Sequence, residues 1–379
     1  MLTIIENVHV YEPEDLGRND IVVCQGKIVE VGPALAPAYP KAKKVNAQGL
    51  MAVPGFIDQH VHVTGGGGEG SFKTRVPELK LTDCIRAGVT TLVGVLGTDG
   101  ITRNVENLLA KTKALNEEGI TAYCLTGSYE YPSITLTGDL KKDIAFIKEV
   151  LGVKVAISDH RCSHLTKEEL IRLASDVRMA ALISGKPGLI NLHVGRGKQR
   201  LDLLFAVLEE TDLPIKHFRP THVGKLGETA VRFAQMGGYI DFTASTTPSD
   251  TAREITEAMQ AGAPLERITL SSDANGSFPK WNEKNEMIGL AAASMKSLHE
   301  VLRALLQEEK MAITDALRLV TTNVARGLEL EETKGRLHGG YDADILLLDQ
   351  DFQLDTVIAR GRVLMQSGEL KAKDTIAVG

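Results

Sequence analysis

Apolar and polar positions fall into two textures along the chain. Up to about residue 52, short alternating runs are broken by turn residues and predict strands. Leu2-Thr-Ile-Ile-Glu-Asn-Val alternates, and the stretch from Asp20 to Gly32 reads as a hairpin turning at Gln25-Gly26. Residues 33–40, rich in proline and alanine, read as a connector. From Val53 to about residue 325, short apolar runs alternate with segments whose apolar residues recur every three or four positions. Strands are predicted at 55–63, 90–96, 121–126, 153–158, 189–194, 218–223, 239–244 and 268–272, with helices between them, among others at 104–118, 167–184 and 202–210. Eight strand–helix units are what a (β/α)8 TIM-type barrel requires, and a barrel carries its chemistry on the loops that follow the strands. A doubly wound open sheet competes, but it gathers its ligand at one switch point. Here polar, ligand-type residues follow many strands.

Helical patterns at 302–307 and 313–320 lead into further β texture at 341–349 and 356–365. The two ends of the chain therefore predict one small β-sandwich domain, built from residues 1–52 and 336–379 around a barrel of residues 53–335. No internal repeat or low-complexity tract interrupts this plan.

Composition narrows the function classes. Of 379 residues, 43% are hydrophobic and 24% charged, an ordinary globular balance. A formal net charge of -6 without a basic cluster argues against broad nucleic-acid binding. No apolar run approaches the roughly 18–20 residues that cross a bilayer. The first residues lack a basic stretch followed by a long apolar one, so the expectation is a cytoplasmic protein. Cys24, Cys84, Cys124 and Cys162 form no Cys-x-x-Cys pair and are expected to be reduced, buried small residues.

The chemistry concentrates at predicted strand ends. His60-Val61-His62 closes the first barrel strand, where period-two geometry puts both imidazoles on one face, able to hold one metal ion. His193 ends the fifth strand, His222 the sixth and Asp273 the eighth, and in a barrel all of these converge on one mouth. His9, His160, His164, His217, His299 and His338 lack this placement and read as surface or core residues. On the fourth strand, Lys154, Ala156 and Ser158 share one face. If that face points inward, an ammonium beside two dications is strongly disfavoured by Coulomb repulsion. A neutral amine can instead add carbon dioxide and become a bridging carbamate. With Asp273 and a bridging hydroxide, two dications then retain a single net positive charge and their Lewis acidity. The run Gly65-Gly-Gly-Gly-Glu-Gly70 formally contains G-x-G-x-x-G but lacks a strand–helix context for a dinucleotide, and reads instead as backbone passing close to a ligand, with Glu69 at its end.

With these motifs in place, the chain resembles the amidohydrolase superfamily over essentially its whole length. The carriers are His-x-His on strand one, lysine on strand four, histidines on strands five and six, aspartate on strand eight, and the return Gly340-Tyr-Asp-Ala-Asp-Ile-Leu-Leu-Leu. The segments from Gly55 to Gly70, Gly127-Ser-Tyr-Glu-Tyr-Pro with Tyr129, and Gly152-Val-Lys-Val-Ala-Ile-Ser-Asp-His-Arg161 are similar to the isoaspartyl (β-aspartyl) dipeptidase family within it. That resemblance implies two zinc ions per subunit. His60 and His62 would bind the first, His193 and His222 the second, and N6-carboxylated Lys154 would bridge them. Asp273 would ligate the first zinc and act as base while a metal-bridging hydroxide attacks, with Tyr129 at the oxyanion. Glu69, Thr98, Arg161 and Ser277 match the family's substrate-binding positions, and Lys225 stands where the family usually has arginine. A lysine meets a carboxylate without the planar two-pronged geometry of a guanidinium.

The implied activity is cleavage of the isopeptide bond of β-aspartyl dipeptides by a homo-oligomer, with an octamer as the family form. A cyclic-amide hydrolase of the dihydroorotase or hydantoinase kind can use the same metals, but its substrate offers no ammonium for Glu69. A non-catalytic scaffold on the same barrel would not need all six ligand-type residues. A zinc-dependent deaminase predicts one metal and no lysine.

Overall fold

The computed structural model describes residues 2–244, 246–281 and 287–376. The alternating N-terminal segments form β1 (Leu2–Tyr11), β2 (Asp15–Cys24), β3 (Lys27–Gly32), β4 (Lys43–Asn46) and β5 (Met51–Pro54). β2 and β3 join through Gln25 and Gly26, both at positive φ, as a tight antiparallel hairpin requires. The apolar middle runs then form eight parallel strands: β6 (Phe56–Val61), β7 (Val89–Gly94), β8 (Thr121–Gly127), β9 (Val150–Ile157), β10 (Leu189–Val194), β11 (Phe218–Thr221), β12 (Ile240–Thr243) and β13 (Ile268–Ser271). They hydrogen-bond in sequence order from β6 to β13. A parallel bridge between Val61 and Ala274 brings the last strand back to the first. The predicted barrel is borne out.

Every residue of β6, β7, β9 and β10 is buried, as parallel strands covered on both faces should be. The helices at Lys167–Ser184 and Asp202–Glu210 match the 3.6-residue pattern residue for residue. The helix at Val105–Glu118 starts one residue late, because Asn104 is its N-cap, accepting from the Asn107 amide at 2.9 Å.

After the barrel strands comes an antiparallel hairpin, β14 (Ser277–Trp281) and β15 (Met287–Ala292), that the hydrophobic pattern did not predict. Its base is fixed to the glycine run by the Gly66 amide, which donates to the Asn275 carbonyl at 2.8 Å. The C-terminal strands β16 (Ile345–Leu348), β17 (Leu354–Ala359), β18 (Arg362–Gln366) and β19 (Glu369–Leu370) join the N-terminal ones in a single nine-stranded sheet, with β16 seated on β5. The sheet folds over on itself, since the Ile28 amide donates to the Tyr341 carbonyl and the Ala343 amide to that of Gly26. Ile5, Val10, Ile21, Ile28, Leu337 and Ile345 fill the space between. The small β-sandwich domain built from both termini is thereby realised.

All four cysteines are free; three are buried and Cys24 is half-buried. Among the described residues, no helix is long and apolar enough to cross a membrane.

Candidate active site

Barrel closure itself assembles the first part of the site. His60 lies within β6, and His62 follows it, its amide donating to the Ala274 carbonyl at 2.9 Å where β6 and β13 meet. That places His62 Nε2 3.0 Å and His60 Nε2 3.5 Å from Asp273 Oδ1. From the opposite side Lys154 of β9 is wholly buried, and its ammonium donates to His60 Nε2 at 2.8 Å. The His222 ring is centred 5.2 Å from His60 and 4.6 Å from His193. All six predicted ligand-type residues therefore meet at one mouth.

The charge state of this cluster follows from its burial. Burial drives His60 well below the ordinary histidine range, and Lys154 and the neighbouring rings add to the effect. His193 is pushed down to about 3 by burial and His222, and His222 itself is lowered by burial. These rings are thus neutral at pH 7, the state in which imidazole binds a cation. Burial also brings Lys154 down to about 7. For Asp273 burial acts upward, but His62, His222 and Lys154 outweigh it and hold the carboxyl at about 2. Burial raises Tyr129 well above the usual phenol range, so its hydroxyl is a neutral donor.

A metal fits this donor set. His60 Nδ1 and His62 Nδ1 are buried without a hydrogen-bond partner among the described residues, an expensive arrangement for a purely structural cluster. One donor atom from each of His60, His62 and Asp273 falls within 4.8 Å of the others. Neutral imidazoles with one carboxylate are ligands suited to zinc.

Over the mouth lies a second, half-buried network. The Ser277 hydroxyl donates to Glu69 Oε1 at 3.0 Å, and Arg161 Nη1 stands 3.4 Å from both Glu69 Oε1 and Thr98 Oγ1. Tyr129 joins the two layers: its hydroxyl is 2.7 Å from His193 Nδ1, and the Arg161 guanidinium lies over its ring at 5.1 Å. Glycines let the loop reach this position. Gly65, Gly67 and Gly68 have positive φ, and a Cβ on Gly65 would collide with the carbonyls of Val76 and Pro77. Lys225, by contrast, is exposed on the turn after His222, and its charge acts on the Glu254 carboxyl. The structure brings Glu69, Thr98, Arg161 and Ser277 together, and among the described residues Lys225 makes no hydrogen bond or ion pair with them.

Several residues that position the site escaped the sequence reading. Asp58 Oδ1 accepts from the amides of His60 and Ser272, each at 3.2 Å, tying first strand to last beside two candidate ligands. Asp241 accepts from Gln59, Thr221, Thr269 and Ser271 within the barrel. Asp159 sits beneath Arg161 and His193. Arg103 is buried and donates to the carbonyls of Thr64, Gly66 and Val76, bracing the glycine loop. An acidic or amide residue inside an otherwise apolar strand was the available signal for Asp58, Gln59 and Asp241. Ser158, His222 and Asp273 all adopt left-handed φ (53°, 66° and 52°), a strain that surrounding contacts maintain at strand ends.

Comparison with known proteins agrees with this geometry. The amidohydrolase family pattern matches residues 51–364. A crystal structure of the β-aspartyl dipeptidase of Fervidobacterium islandicum AW-1, in complex with β-Asp-Leu, is 43% identical, covering 99% of this chain and 100% of that one with a TM-score of 0.92. Dihydropyrimidinase from Brevibacillus agri shares the fold at 16% identity and a TM-score of 0.62, covering 98% of this chain and 96% of its own. Among curated sequences, the adenine deaminase of Bacillus pumilus is 26% identical over 372 residues, 93% of this chain but 55% of the relative. The chain thus spans about half the length of the adenine deaminases it matches. By its matched length, its barrel and the donors at the barrel mouth, this chain belongs to the amidohydrolase family.

Proposed function

We propose that the chain is a binuclear zinc hydrolase cleaving the isopeptide bond of β-aspartyl dipeptides. One observation carries this reading: a buried cluster of imidazoles, lysine and carboxylate lies directly beneath a half-buried network in which a glutamate, an arginine and two hydroxyls meet. A β-aspartyl dipeptide has one ammonium and two carboxylates around an amide one methylene longer than usual, and that network offers an anion and several donors in matching number. The 43% identity to a dipeptidase holding β-Asp-Leu supports the same substrate class.

In this reading His60, His62 and Asp273 would hold one ion and His193 and His222 the other, with Lys154, carboxylated by carbon dioxide, as the ligand common to both. The lowered basicity of Lys154 leaves a useful fraction of free amine for that addition. Bound zinc supplies Lewis acidity and makes water acidic enough to attack near neutral pH. Glu69 pairs with the substrate ammonium, while Arg161, Lys225, Thr98 and Ser277 receive its carboxylates. The Tyr129 hydroxyl donates to the oxygen of the scissile carbonyl as negative charge develops there. Asp273, anionic at rest, accepts a proton from the attacking water and passes it to the departing nitrogen. The C–N bond breaks, giving aspartate and the second amino acid.

The test is metal analysis of one zinc- and bicarbonate-treated sample together with hydrolysis of β-Asp-Leu, α-Asp-Leu, dihydroorotate and hydantoin. About two ions per chain and turnover of β-Asp-Leu alone are expected. Turnover of a cyclic amide instead would reassign the chain to the cyclic-amide hydrolases. Less than about one ion with no amidase activity would leave a scaffold.

A further inference from the structure

Asp159 is buried between a proposed metal ligand and a proposed substrate-binding residue. Its Oδ1 accepts from the Arg161 backbone amide and from Arg161 Nε, both at 2.8 Å, and its Oδ2 accepts from Arg161 Nη2 at 3.0 Å. The same Oδ2 lies 3.1 Å from His193 Nε2. A two-pronged guanidinium contact of this kind keeps a carboxylate ionised. An ionised carboxylate only accepts hydrogen bonds, so its contact with His193 is a bond only if Nε2 carries the ring proton. Among the described residues one competing contact exists: Arg161 Nη2 stands 3.4 Å from the same nitrogen and would need a lone pair there. The carboxylate is nearer and charged, and Nη2 already donates to it, so the Nε2–H form prevails. The lone pair of His193 is then on Nδ1, the nitrogen facing Tyr129, where a hydroxyl 2.7 Å away can donate to it.

We propose that Asp159 is a positioning residue that fixes His193 as the Nε2–H tautomer, presents Nδ1 as its metal-binding atom, and ties that ligand to the Arg161 guanidinium. One carboxylate thereby joins cation loading to substrate-carboxylate binding. The inference rests on the reading of His193 as a ligand. Outer carboxylates of this kind orient a metal-binding imidazole and raise its basicity, and their loss typically costs about 10–100-fold in metal affinity.

The experiment is a zinc titration of metal-free wild type and Asp159→Asn, with thermal unfolding as a check on folding. Wild type should take two ions. The variant should hold one ion as wild type does and bind the other about 10–100-fold more weakly. In the variant KM for β-Asp-Leu should rise as Arg161 loses its anchor, an effect that Asp159→Glu should partly reverse. Equal affinities for both ions in wild type and Asp159→Asn would overturn the proposal while leaving the two-metal reading intact. A wild type that binds no second ion would overturn both. If Asp159→Asn fails to fold, imidazole 15N spectra of wild type decide, with the His193 signal assigned by its loss in His193→Gln. A proton on Nε2 is expected, and a proton on Nδ1 would overturn the assignment.

Discussion

Asp273 is asked to accept a proton and then release it, and its surroundings suit both steps. Its neighbours His62, His222 and Lys154 hold it an anion at rest, while its burial acts toward the protonated form. Asp273→Asn should lower kcat by roughly 10²–10⁴-fold, the usual contribution of a positioned acid–base group, while part of the bound zinc remains. Near-normal turnover would remove the role. Tyr129→Phe deletes one donor at the developing oxyanion and should cost about 10²–10³-fold in kcat with little change in KM. An unchanged kcat would place the hydroxyl elsewhere. At this scale, spacing and strand ends were sufficient to find His60, His62, His193, His222 and Asp273, because parallel strands must deliver their ends to one rim. Asp159 stood in the recognised Ser158-Asp-His-Arg run but gave no separate signal, since its partners lie across a turn and on the next strand. Lys225 was placed by a family position alone, and it stands on the exposed turn after His222.

Strands and loops convert those residues into a site. β9 begins at Val150, ahead of the expected 153, because Leu151 and Gly152 continue the run of buried residues. Gly152 is opposite Leu189 in the β9–β10 pairing, and a Cβ there would collide with the Leu189 backbone. Lys154 and His193 leave these same two strands a few residues further along. Gly152→Ala should therefore destabilise the fold by about 1–3 kcal/mol, the ordinary cost of overpacking, and also weaken zinc binding. Thermal unfolding and zinc titration check the two effects, and a variant with wild-type values in both would show that the approach of the two strands is not critical. The glycine run was legible as close backbone approach but not in its partners, Arg103 and the β14–β15 hairpin. The residues leading into that hairpin meet the glycine run through the bond from the Gly66 amide to the Asn275 carbonyl.

Across the whole molecule, the barrel and the terminal sheet share a polar clasp. Lys334 is 3% exposed, and its ammonium lies 2.6 Å from Asp344, 2.8 Å from Asp342 and 2.7 Å from the Thr121 hydroxyl at the start of β8. Burial works against its charge, but Asp344 and Asp342 overcome that and raise its basicity above the ordinary lysine range. A raised amine value means that the stabilisation is complete below the unfolded value of about 10.4 and is lost only as pH climbs through the folded one. Lys334→Met should cost about 3–5 kcal/mol at neutral pH by leaving the buried Asp344 without its cation. Denaturant unfolding measures this, and an unchanged midpoint would show that the clasp adds nothing. The sharing of one sheet between the two termini was readable from their common alternation, whereas the clasp was not, because Lys334 lies in a polar connecting segment.

The most direct test of the account is leucine release from β-Asp-Leu as zinc is returned stepwise to metal-free protein in bicarbonate buffer. Activity should rise to a plateau near two equivalents per chain and be largely lost in Lys154→Met. No release at any loading, or a plateau at one equivalent that Lys154→Met leaves unchanged, would contradict a bridged pair of ions acting on an isopeptide bond.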